Sequence, residues 1–91
     1  MFGLATERQV NKAFRMLAAL SKASEISTKF LGETLAATLW KAENLEALAF
    51  GKITQEEYAE TVKKFDSLMN EIESDQTRLV AKFKIEFRDV L

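Results

Sequence analysis

The sequence predicts an all-α fold: three helices in a single domain spanning residues 1–91, a helical hairpin plus a long C-terminal helix, associating as an oligomeric bundle. Three observations predict it. The 91 residues include no proline and only three glycines, so helix breakers are nearly absent. Ala, Leu, Glu and Lys are plentiful, and these are strong helix formers. From Thr54 to Leu91 the apolar residues repeat as a heptad, with Tyr58, Phe65, Ile72 and Leu79 on one position and Val62, Met69, Gln76, Phe83 and Val90 on its partner. A helix over that run would be roughly 55 Å long, against a radius of gyration of about 12 Å for a compact globule of this size. The excess has to be covered by a second copy, another protein or a fold-back.

The first helix is expected over about residues 5–21, with Thr6 as its cap. Val10, Ala13, Phe14, Leu17 and Leu20 share one face at helical spacing, and Arg8, Asn11, Lys12 and Arg15 take the opposite one. Ser21, Ser24, Ser27 and Thr28 then cluster. Such side chains compete for backbone hydrogen bonds, which predicts a break between about residues 22 and 27.

The second helix is expected over about 27–50. Leu31, Leu35, Leu39, Ala42, Leu45 and Ala49 form a stripe, widened by Phe30, Ala36, Ala37, Trp40, Ala47 and Leu48. A helix apolar on most sides is central to a bundle or lies in an interface. Gly32, inside it, reads as a site of close helix contact or of fraying in the first turn. Gly51 suits the left-handed residue just past a helix end. Thr54 and Glu57 have capping-box spacing, flanked by Ile53 and Tyr58 as a hydrophobic staple. A tight corner follows, with the third helix, about 54–91, reversing against the second.

That third helix has two weak points. Ser74-Asp75-Gln76-Thr77 is polar enough to interrupt it. Residues Lys82 to Arg88 alternate like a strand. A lone strand has no partner edge in this chain, so helix is preferred. Gln76 occupies a core position of the heptad, where a polar residue either sets register or turns outward at a local drift. The C-terminal segment 78–91 is therefore an apolar and basic arm in need of cover.

Composition excludes several functions. A hydrophobic share of 47% with 30% charged residues is ordinary for a folded chain and argues against disorder. Net charge is −1, so no global field draws the chain to nucleic acid or membrane. No long apolar run marks a membrane span, and Met1-Phe2-Gly3-Leu4 lacks the pattern of a leader peptide. With no cysteine there is neither disulfide nor thiolate zinc site. A small secreted domain is usually disulfide-stapled, so a cytoplasmic location is expected. With no histidine, metal sites lose their commonest ligand and general acid–base catalysis its usual residue. Acidic pairs such as Glu43 with Glu46 and Glu57 with Glu60 read as solvated faces. No catalytic residue, cofactor or metal site is expected, and the chain is not expected to be an enzyme.

Residues 45–68 run Leu45, Leu48, Gly51, Ile53-Thr54, Glu56-Glu57, Tyr58, Lys63-Lys64 and Leu68. This pattern resembles the short helical motif called SHOCT. The resemblance covers roughly a quarter of the chain, although that motif is usually terminal and here more than 20 residues follow it. It implies oligomerisation or protein binding.

The functional expectation is a non-enzymatic protein–protein interaction or assembly module acting as a homo-oligomer, with a dimer favoured and a foreign protein as a further partner. The expected interface comprises Phe65, Met69, Ile72, Gln76, Leu79, Phe83, Ile85, Phe87, Val90 and Leu91. Chain size suggests an accessory protein of a phage or mobile element. The alternatives are a nucleic-acid-associated helical factor, or a peripheral membrane protein bound through the basic N-terminal helix. A charge of about +3 over residues 4–22, Glu7 against Arg8, Lys12, Arg15 and Lys22, is weak for either.

Overall fold

Two helices, one of them 46 residues long, make a single antiparallel hairpin. The computed structural model describes residues 4–91, with side-chain surroundings from residue 7 onward. Helix α1 spans Leu4–Ala49, helix α2 spans Gln55–Glu86, and a 3-10 turn covers Arg88–Val90. No strand occurs among the described residues. The molecule is a rod, 72 × 23 × 9 Å, with a radius of gyration of 21.3 Å, far above the compact value.

The fold class is all-α as expected, but the first two expected helices are one. The Ser21–Thr28 cluster does not break α1. Ser21, Ser24, Ser27 and Thr28 all face solvent, so their hydroxyls are not forced to compete for the helix's own backbone bonds. Ile26, in the middle of the cluster, is buried and anchors this stretch against α2. The helix start expected at Thr6 lies at Leu4, and the capping role expected of the Thr6 hydroxyl falls outside the described side chains. The interruption expected at 74–77 is also absent: α2 runs through it, with Thr77 Oγ1 donating to the Glu73 carbonyl at 2.9 Å and Arg78 bridging Asp75 one turn back at 2.6 Å. The strand-like alternation at 82–88 is helical up to Glu86. Only the last residues leave the α-helix, which was expected to reach Leu91.

The corner is built as its residues dictate. Gly51 has φ +71°, the left-handed conformation that costs glycine nothing. Its N–H donates to the Leu48 carbonyl at 3.1 Å and that of Lys52 to the Ala47 carbonyl at 2.8 Å, the paired bonds of a Schellman ending. Thr54 then caps α2. The Glu57 N–H donates to the Thr54 hydroxyl at 3.1 Å, and the Thr54 N–H donates to the Glu57 carboxylate at 3.2 Å. Ile53 and Tyr58 are half-buried beside it.

The core is a thin seam between the helices. Its buried apolar side chains are Ala19, Ile26, Ala37, Ile72 and Phe87, joined by the polar Thr61. Ala19 and Ala37 on the α1 side are small enough to let the helix axes approach. Thr61 is satisfied near the corner, its single hydroxyl proton shared between the Glu57 carbonyl at 3.2 Å and the Asn44 amide oxygen at 3.4 Å. Lys41 lies over the Phe65 ring at 4.5 Å.

Candidate interaction surface

The residues expected to form an interface are mostly consumed by the hairpin. Ile72 and Phe87 are buried, and Phe65, Met69, Gln76, Leu79, Phe83 and Val90 are half-buried. The heptad face of α2 packs on α1 of the same chain, so the fold-back covers much of the surface expected to need a partner. Gln76 and Leu79 line a void of about 10 Å³ together with Ile26 and Phe30, large enough for at most one water. Gln76 is half-buried at the edge of the seam, where Lys29, Glu33 and Asp75 line the same space. Ile85 and Leu91 alone of the set stay open, at 68% and 70% exposure.

The C-terminal arm is held by Arg15. Its guanidinium sits 4.6 Å above the Phe87 ring. It forks onto Asp89 at 3.0 and 3.2 Å and donates to the Glu86 carbonyl at 2.8 Å. Phe87 also packs on Phe83, with ring centroids 5.1 Å apart. The hydrogen bond from Arg15 holds the Asp89 carboxyl below its usual range, and the Asp89 carboxylate in turn raises Arg15. The arm is thus a latch on α1, and it supplies no free aromatic anchor.

The unpartnered apolar surface lies elsewhere, on the outward side of α1. Phe14, Leu17 and Leu20 are 60–66% exposed, and Leu31, Leu35 and Leu39 are 55–64% exposed. Val10 and Leu45 extend the row at 43% and 50%. At about 100° per residue, Leu35 stands about 180–200° around the helix from Ile26 and Ala37, which face α2. So α1 is apolar on two sides, and α2 covers only the one that carries Ala19, Ile26, Phe30, Ala37 and Trp40. The sequence carried this signal in the near-continuous apolar circumference of residues 27–50. Which face would remain open depended on α1 being one unbroken helix, which joins the Phe14 and Leu31 rows into a single stripe.

Its borders are chemically one-sided. Glu7, Glu25 and Glu43 recur every 18 residues, five full turns, and so line one edge. Arg15 is engaged by Asp89, and Lys22 lies 3.5 Å from Glu25. No helix is long and apolar enough to cross a membrane, and no group of three carboxylates suited to a metal ion occurs among the described residues.

The molecule also exposes too much of itself. Its accessible surface is 7247 Å² for 10.3 kDa, whereas a folded monomer of that mass exposes about 5,400 Å². The SHOCT-like stretch is a Gly-ended helix followed by a capped one, a local arrangement common to many hairpins. In comparison with known proteins, no family model matches the chain, and neither does any curated protein or solved structure.

Proposed function

We propose that this chain is a non-enzymatic assembly module, a helical hairpin that works as a homo-oligomer through the outward face of α1. The observation that carries this reading is the row of large apolar side chains along the outward face of α1, Phe14, Leu17, Leu20, Leu31, Leu35 and Leu39, each more than half exposed. Monomers rarely leave apolar patches beyond a few hundred Å² in water. A seam with so few buried side chains also gives two helices little to hold them together, and further burial supplies what is missing. The interface has shifted from the α2 set to the α1 stripe, because α2 commits its heptad to α1.

A peripheral membrane role gains less support. Interfacial helices carry lysine and arginine beside the apolar face, whereas the near edge here carries Glu7, Glu25 and Glu43. An accessory role in a phage or mobile element rests on chain size alone. Light scattering in solution tests the proposal. The expected result is a mass at least twice 10.3 kDa for the intact chain, falling to the monomer in a Leu17→Glu/Leu35→Glu variant. A helical, stable monomer of the unaltered chain at tens of micromolar would falsify homo-oligomerisation.

A further inference from the structure

We infer that the second copy lies antiparallel on the outward face of α1, so that two hairpins form a flat four-helix array in the order α2–α1–α1–α2, with α1 against α1 at its centre. This rests on the homo-oligomer reading above and adds the surface, the orientation and the register.

Charge sets the orientation. Because the hairpin folds back on itself, residues 7–29 of α1 lie beside residues 76–91. Together they carry nine bases, including Arg8, Lys12 and Lys82, against four acids, for a net +5. Residues 30–75, which contain the corner, carry ten acids against four bases, for a net −6. The rod is therefore basic at its open end and acidic at its corner, over 72 Å. Side-by-side parallel rods would oppose like charges at both ends, while antiparallel rods oppose unlike charges at both ends. The charges of α1 alone, net +3 over residues 7–29 and −2 over 30–49, run in the same sense and lie at helix-packing distance from the partner, comparable to a Debye length of about 10 Å in dilute salt, so that difference survives screening.

The pattern of the stripe sets the register. Its apolar residues fall in two blocks separated by Ser21, Ser24 and Thr28. In an antiparallel pair, facing residue numbers have a constant sum. A sum near 52 brings Leu17 to Leu35, Leu20 to Leu31, Phe14 to Leu39 and Val10 to Ala42, and it brings Ser24 to Thr28. Apolar then meets apolar in both blocks and Ser24 meets Thr28 at the centre, while Ser21 falls beside Leu31. The two-fold axis falls near residue 26, the middle of Leu4–Ala49. Small side chains at that point allow close approach of the axes, and a polar layer inside an apolar seam penalises slipped registers.

The area is sufficient. Weighted by their exposure, the large apolar residues from Val10 to Leu39 present on the order of 800 Å², the share of each partner in a standard interface.

The chain has no cysteine, so single cysteines can carry nitroxide labels without background. Lys12→Cys, Ala23→Cys and Glu43→Cys lie outside the stripe at exposed positions. At 1.5 Å per residue, antiparallel pairing gives axial label separations of roughly 40 Å at Lys12, 10 Å at Ala23 and 50 Å at Glu43. Pulsed electron resonance on the labelled oligomer is expected to show that V-shaped series. Equal short distances at all three sites would overturn the orientation, with the oligomer itself intact by light scattering. An oligomer that persists undiminished in Leu17→Glu/Leu35→Glu would overturn the surface. A monomeric unaltered chain would instead remove the underlying reading and leave the stripe to a different protein.

Discussion

Arg15 serves the end of α2 in three ways: it covers the Phe87 ring, takes Asp89 as a counter-ion and caps the Glu86 carbonyl. A cation there also suits the negative C-terminal end of a helix dipole. Arg15→Ala is expected to fray residues 86–91, measured as faster amide exchange at Phe87 and Val90, with α1 unaffected beyond its own last contacts. The Asp89 partner makes this latch sensitive to acid. The folded carboxyl is held below the ordinary value of 3.8, so the unfolded chain takes up that proton first. The stabilisation is complete above the ordinary value and is lost as pH falls through the lower folded one. Wild type and Asp89→Asn should therefore differ in melting temperature at pH 6 and converge toward pH 3. Among the expected interface residues the structure draws a sharp contrast. Phe87→Ala should cost about 3 kcal/mol or more, as for a buried aromatic. Ile85→Ala should stay within about 0.5 kcal/mol of wild type in urea melts of the hairpin.

Among the elements, the corner was legible because its signals are local. A glycine past one helix end and a Thr-x-x-Glu box at the next need only neighbouring backbone to act. Two glycine substitutions should have opposite signs. Gly51→Ala places a Cβ in open space but at φ +71°, which costs about 1–2 kcal/mol. Gly32 sits inside α1, and nothing lies within 4 Å of the point an added methyl would occupy, so Gly32→Ala should stabilise by roughly 1 kcal/mol through helix propensity. Thermal melts of both variants check the pair. The close contact expected at Gly32 is not made within the hairpin. The break expected at 22–27 failed for a different reason: Ser and Thr disfavour helix interiors only weakly. Ile26 tips the balance by burial against α2, a partner more than 40 residues away in the chain. Likewise Ser74–Thr77 stays helical because Ile72 and Leu79 on either side belong to the seam.

For the molecule as a whole, a rod with a thin seam and an uncovered stripe should depend on its own concentration. The melting temperature should rise with protein concentration, because association stabilises the folded state by mass action. Raising ionic strength from about 0.05 to 0.5 M should weaken an association that opposes unlike charged ends, whereas a purely apolar contact would be indifferent or strengthened. Sedimentation at two salt concentrations separates these. Residue type and local spacing were enough to establish an all-helical chain and the place where it turns, and they pointed to apolar surface on more than one side of its helices. They were not enough to say which surface is left over. Both helices carry amphipathic or fully apolar faces, and a chain of this length can satisfy one pairing, so the choice was made by packing between distant segments. The fold-back set the heptad of α2 against the side of α1 that carries Ala19, Ile26 and Ala37, with Lys41 and Arg15 over the Phe65 and Phe87 rings. The leucine face of α1, two apolar blocks brought into line once α1 is a single helix, was left uncovered by α2.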